Sequence, residues 1–445
     1  MALLVDHPDR DLDGMVLVAA HLASLGFSAA VVPMYERHEV LFLRPRLVLV
    51  NYLRYATLTF VRQCRSLGIR VAVHDTEGGL RADMPAFVAA MREALCEVDL
   101  YCAWGSHQAA LVEQVGGCTV ALTGPPRYDF AAQPWRDALP DMRRANREFV
   151  IVNTNFAIAN PRFDSVASEV AEVQRVLGQD CDVVMERLAQ TRVAFEMIID
   201  ATQALAQAFP EIDVVLRAHP FESDVPYRHR LERFTNVRLE RTGSVIPWLA
   251  SAKALVHHNC STAVEATLVG CPSIHVEWEP LPRLAVVSSS IFSSAARTKN
   301  ELIASMTAVL RSAEPPPAEA SPSVRDEAIR QFYFRQDGRC AERVAQAIVA
   351  ELSKPLPHDL GLSSSVGLTF GQQVARFAGP WAYRTARTVA GRSRVGARDK
   401  RFSRHRVDSI LDCLRSAHAA WGSVGSYRRL GFRSIQVTTA RQHVL

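Results

Sequence analysis

Short apolar runs that end abruptly in polar residues, each followed by a stretch of helical period, recur through the first two thirds of the chain. Ala2–Val5 and the stretches 28–32, 46–50, 69–73, 99–104 and 119–123 read as buried strands of one group. Helical patterns at 15–25 and 57–67 lie between them, each stopped by a glycine, Gly26 or Gly68. A second group opens at Phe149–Asn153 and continues with 212–216, 254–258 and Ser273–Val276, with helical material over 169–209 broken near Gly178. Buried strands alternating with helices predict parallel βαβ units. In an open parallel sheet ligands lie beyond the carboxyl ends of the strands, so the polar residues after each run are where chemistry is sought.

Two such strand ends carry candidate chemistry in the second group. The run 212–216 delivers Arg217, Ala218, His219 and Pro220. The run 254–258 is apolar, then turns polar at His257 and His258, and Asn259-Cys260-Ser261-Thr262 leads into a helical pattern from about Ala263 that contains Glu265. Asn259, Ser261 or Thr262 is expected to cap that helix, whose amino end would then suit a phosphate. One of His257 and His258 is expected to pack and the other to face the cleft; no third ligand is spaced to join them, so no metal site is read here. In the first group, the strand 69–73 ends in His74-Asp75-Thr76-Glu77-Gly78-Gly79. Asp75 and Glu77 would project into a cleft as a general base or a carboxylate nucleophile, with the glycines allowing a tight backbone turn. The stretch 6–14, rich in aspartate, reads as a loop before the first helix. It holds no GxGxxG, so no dinucleotide cofactor is indicated, and no other cofactor is called for.

Taken in order, RDLDG, NYLR, HDTEGG, GPPRYDF, VNTNFA, RAHPFE and NCSTAVEA, extended by Asp337-Gly338 and Ala341-Glu342-Arg343, resemble the bacterial surface carbohydrate biosynthesis protein family. The His-Pro motif followed by the Ser/Thr motif is similar to glycosyltransferases with two Rossmann-like domains facing across a cleft (GT-B type) that use CMP-activated acidic sugars, polysialyltransferases and Kdo transferases among them. That resemblance implies an α/β fold of this type and a nucleotide site formed by Arg217, His219, Pro220, Asn259, Ser261, Thr262 and Glu265. His219 and the hydroxyls of Ser261 and Thr262 would hold the CMP phosphate, and Glu265 would meet the ribose. Asp75, Glu77 and His219 become the catalytic candidates. The implied partners are a CMP-sugar donor, carrying Kdo or another ulosonic acid, and a surface glycan acceptor. GPPR stands where Gly-Asn-Pro-Arg is more usual. CDP-glycerol or CDP-ribitol phosphotransferases and UDP-sugar enzymes share the same strand architecture, and a non-catalytic membrane-associated scaffold is the reading from another class.

Composition adds an asymmetry. The 445 residues carry a formal net charge of +5, but the stretch 351–445 alone is at +11 and the remainder at −6. The length predicts more than one domain, read as 1–125, 126–350 and a basic helical extension 351–445. Densely basic residues over 391–406 and an amphipathic pattern over 407–421 suit an anionic membrane surface or a docking partner; nucleic acid is not expected. No signal peptide and no long uncharged apolar run is read, so the expected location is cytoplasmic, with peripheral attachment to the inner membrane through the extension. Nine scattered cysteines without a CxxC pair read as reduced thiols.

Overall fold

The computed structural model describes residues 1–53, 55–80, 84–177, 180–311, 317–355, 379, 382–383, 385, 399–418, 421–429 and 432–439. The chain forms two compact units, Met1–Leu139 with Glu327–Leu445, and Pro140–Asp326. The helix Cys340–Ser353, expected to close the second domain, thus belongs with the first unit. Arg46 and Arg70 fasten it there by donating to the carbonyls of Leu352 and Lys354 at its carboxyl end, where cations complement the helix dipole.

The first unit carries β1 (Ala2–Val5), β2 (Ala29–Pro33), β3 (Leu47–Val50), β4 (Arg70–Val73), β5 (Leu100–Ala103) and β6 (Thr119–Leu122). They pair in parallel in the order β2-β1-β3-β4-β5-β6, with Leu3 opposite Val31 on one side and Leu49 on the other. Every residue of β1 to β5 is buried, which explains why these strands are continuous apolar runs and not alternating ones. The second unit carries β7 (Phe149–Asn153), β8 (Asp213–Arg217), β9 (Val237–Glu240), β10 (Leu255–His257), β11 (Ser273–Val276) and β12 (Ser294–Ala296), in the order β9-β8-β7-β10-β11-β12. Renumbered within the unit this is 3-2-1-4-5-6, the Rossmann order, and the first six strands follow the flavodoxin-like 2-1-3-4-5 order with one strand added. The molecule is therefore an α/β protein with two Rossmann-like units.

Two further expectations are corrected. The aspartate-rich stretch is helical, because the first helix runs from Pro8 to Ser24. Pro8 occupies its first turn, where a missing N–H costs nothing, and His7 Nδ1 caps it by accepting the N–H of Asp9 at 3.2 Å. Gly14 lies inside this helix because a Cβ there would sit 2.7 Å from the backbone nitrogen of Arg127. The end of the chain is no separate tail either. β13 (Val424–Tyr427) and β14 (Ile435–Thr439) extend the first sheet, β14 pairing antiparallel with β2. The amphipathic helix, Arg404–Ala417, buries Val407, Leu411 and Leu414 inside this unit, so its apolar face is not available to a bilayer. Of the densely basic stretch 391–406, residues 391–398 lie outside the described residues. Among the described residues no helix is long and apolar enough to cross a membrane.

Candidate functional site

In the second unit the strand order reverses between β7 and β10, and the motifs of the sequence gather at that end of the sheet. Asn153, the last residue of β7, donates from Nδ2 to Thr262 Oγ1 at 3.2 Å. Its neighbour Thr154 accepts the backbone N–H of His219 at 3.2 Å and donates to Glu222 Oε1 at 2.8 Å. Two adjacent residues thus tie the His-Pro loop to one side and the Ser/Thr motif to the other. Glu222 anchors the arrangement: fully buried, it also takes the N–H of Phe156 at 2.8 Å and the hydroxyl of Tyr227. Burial pushes its carboxyl above the usual range against the pull of these donors. His219 is half-buried, and its Nδ1 accepts the N–H of Phe221 at 3.3 Å. That bond leaves the proton of a neutral ring on Nε2 and makes Nε2 a donor.

Several neighbours have other work than the sequence suggested. Arg217 stacks over Trp248 and spends its guanidinium on the carbonyls of Arg241, Thr242 and Gly243, bracing a loop. The carbonyl of Pro220 accepts from Arg241, which binds the His219 and Glu222 carbonyls as well. No side chain caps the helix Thr262–Leu268: Ser261 occupies the cap position in a helical conformation and is exposed. At seven residues this helix has little dipole to offer, so hydroxyls and not a helix end are what the motif presents. Thr262 donates to Cys260 Sγ at 3.0 Å, and Glu265 is buried. Asn259 takes a left-handed backbone (φ +46°) and accepts the N–H of Val286 at 3.2 Å. His257 and His258 are both buried, where one was expected in the cleft. His257 Nε2 meets Ser273 and Ser293, each at 3.0 Å, and His258 Nδ1 meets the Val276 carbonyl at 2.8 Å. With His275 they form a contiguous group of rings 5.6 and 5.2 Å apart, and burial lowers the pKa of all three, that of His275 to about 4.

In the first unit the strand order reverses between β1 and β3, and a cavity of about 20 Å³ opens there. Its lining includes the apolar Leu4, Met15, Leu49 and Val50 and the polar or aromatic Asp11, Asn51, His74, Asp75, Trp104 and Arg127. Asp75 is fully buried, its Oδ1 accepting the N–H of Glu77 at 2.9 Å and its carbonyl the Trp104 indole at 2.6 Å. Glu77 is exposed, with a side chain 48% accessible, and Arg10 Nη1 lies 4.0 Å from its carboxylate. Gly78 and Gly79 serve close packing more than a turn, since a Cβ at either would meet Trp104 and Gln108 at 2.8 Å or the Tyr333 ring at 2.5 Å. Burial lowers the pKa of His74 to about 4, so this ring is neutral at pH 7.

The acidic first turn is neutralised by the far end of the chain. Lys400 binds Asp6 at 2.7 Å, Arg406 binds Asp9 at 2.8 Å, and Arg10 bridges Asp6 and Asp11. Among the described residues Glu36, His38 and Glu39 are grouped closely enough to suit a metal. The chain itself satisfies the carboxylates: Arg401 pairs with Glu36 at 2.7 Å, and Glu39 accepts the backbone N–H groups of Arg433 and Ser434. Asn51, Trp104, Arg127, Thr154 and Glu222 were not singled out from sequence as site residues, although NYLR, GPPRYDF, VNTNFA and RAHPFE contain four of them.

No protein-family model matches the sequence, and no curated protein matches it. Solved structures resemble it in chain course. A UDP-GlcNAc 2-epimerase from Neisseria meningitidis bound to UDP-GlcNAc covers 79% of this chain and 100% of its own, at 12% identity and a TM-score of 0.45. MnaA of S. aureus with UDP covers 81% and 99% at 12% identity and 0.48. The wall teichoic acid polymerase TagF, soaked with CDPG, covers 80% and 90% at 8% identity and 0.49.

Proposed function

We propose that this protein is a nucleotide-sugar-dependent transferase of surface glycan assembly that moves an acidic sugar from a CMP ester to a glycan acceptor. The observation that carries this reading is the tie of His219 and Thr262 to consecutive residues at the end of β7, where the second sheet reverses its order. A donor Nε2–H on one side and hydroxyls on the other, Thr262 turning its proton from Cys260 Sγ to the ligand, suit the phosphate of a departing nucleotide, where negative charge develops during transfer. Ser261, exposed beside Thr262, adds a second hydroxyl. Glu77 or Asp75 would act on the acceptor hydroxyl as base, or attack the anomeric carbon as nucleophile.

Calorimetric titration of the full chain with CMP, CDP, UDP and UMP tests the donor class. The expected order places CMP tightest, with His219→Ala weakening it by about tenfold or more. Tightest binding of CDP would move the protein to the glycerol- or ribitol-phosphate transferases, and of UDP to the UDP-sugar enzymes. Absence of binding by all four would sink the enzymatic reading and leave a scaffold.

A further inference from the structure

We infer that the cavity where β1 and β3 part is a subsite for one hydroxyl group of a polyol, with Asn51 Oδ1 as its hydrogen-bond acceptor. Asp75 lines the same cavity, so the inference deepens the acceptor side of the proposed function and rests on it only there; it does not depend on which nucleotide the second unit takes. Asn51 follows β3 directly and is 4% exposed. Its Nδ2 donates to the carbonyl of Leu4 at 2.9 Å, which fixes the orientation of the amide. The other end, Oδ1, is buried and has no hydrogen-bond partner among the described residues. Buried carbonyl oxygens are rarely left so, and the residue lines a cavity whose 20 Å³ is room for a single oxygen. An open sheet binds its ligands at this position, beyond the strand ends where the order reverses.

The wall selects the kind of group. Asp11 and Asp75, both buried, disfavour an anion, and the Arg127 guanidinium, 3.6 Å from Asp11 and 4.9 Å above Trp104, disfavours a cation. A neutral hydroxyl satisfies both conditions and supplies the proton that Asn51 Oδ1 lacks. Leu4, Met15, Leu49, Val50 and Trp104 line the same cavity and give the hydroxyl apolar surroundings. Hydroxyls on an apolar carbon frame are the chemistry of sugars. The same space fits one water, which a sugar hydroxyl would displace.

The test uses full-length protein without nucleotide and a panel of free monosaccharides: glucose, galactose, N-acetylneuraminic acid and Kdo. The side-chain amide resonance of Asn51 is expected to shift with at least one sugar in the millimolar range, with saturation transfer to that sugar. Asn51→Leu, which removes the acceptor and fills the space, is expected to weaken the same sugar at least about tenfold while CMP titration is unchanged. No shift of the Asn51 resonance with any of the four up to about 100 mM overturns the subsite and leaves a structural water, and so does an Asn51→Leu protein that binds the sugar as tightly as the parent. Should the variant fail to fold, the resonance of the parent protein decides. A sugar-dependent shift in a protein that binds no CMP would keep this subsite and sink the donor reading.

Discussion

Asp75 and Glu77 stand two positions apart in sequence and in opposite surroundings. Asp75 is wholly buried and holds the turn through the Glu77 N–H, whereas Glu77 extends into solvent beside Arg10. An amide oxygen can accept the same N–H, so Asp75→Asn preserves the turn, while Glu77→Gln removes an accessible carboxylate without disturbing the backbone. Steady-state kinetics with a CMP-sugar donor should therefore show the larger loss for Glu77→Gln, about 100-fold in kcat, with nucleotide affinity unchanged. The reverse ranking would assign the chemistry to Asp75. Thr154 and Glu222 make a different point. Their side chains organise two loops by bonding each other and the backbone N–H groups of Phe156 and His219, and in sequence they are an ordinary threonine after a strand and an acidic residue after a His-Pro turn.

Among the elements, the C-terminal hairpin and the helix before it hold the first unit together. Trp421 is buried against Trp135, His21 and His418, with ring centroids 5.1, 4.7 and 5.5 Å away. Trp421→Ala should destabilise this unit by about 3–5 kcal/mol, read as a lowered urea midpoint. An unchanged midpoint would mean that the segment is dispensable. The elements legible beforehand were those whose burial leaves a continuous apolar run: β1, β7 and β11 match their expected bounds. β13 and β14 escaped because Val-Gly-Ser-Tyr and Ile-Gln-Val-Thr-Thr are too polar to look buried, yet Ser426, Gln436 and Thr438 are. β12 is Ser-Ala-Ala, three residues without a large side chain. At the candidate site the same limit applied. Motif spacing located the strand ends that carry His219 and Thr262, but Asn153, Thr154 and Asn51 matter through the neighbours that the sheet order gives them. The basic charge of the extension was plain, but not that Lys400, Arg401 and Arg406 pair with Asp6, Glu36 and Asp9 of the same chain.

For the whole molecule, buried titratable groups set how the two units respond to acid. In the second unit His257, His258 and His275 are held neutral by burial, while in the unfolded chain they titrate near 6.5. The unfolded state then binds more protons at these three sites as pH falls below 6.5, so the stability they contribute is full above that value and declines toward pH 4, His275 alone accounting for about 3 kcal/mol, with the raised carboxyl of Glu222 offsetting part of the loss. In the first unit His21 and His74, lowered to about 4, act in the same direction, but Asp13 and Asp129, raised by burial to about 6, gain protons on folding over that window and offset them. Hydrogen exchange at pH 7 and pH 5 should show amides of β8, β10 and β11 losing protection well before those of β1, β3 and β4. Equal loss in both units would remove the histidine group as the cause. The pairing of β14 with β2 carries a further consequence. On the ribosome, residues 29–33 emerge some four hundred positions before the strand that covers them, so the nascent first unit keeps this sheet edge uncovered throughout translation of the middle of the chain, whereas the second unit, contiguous in sequence, completes its sheet without that wait.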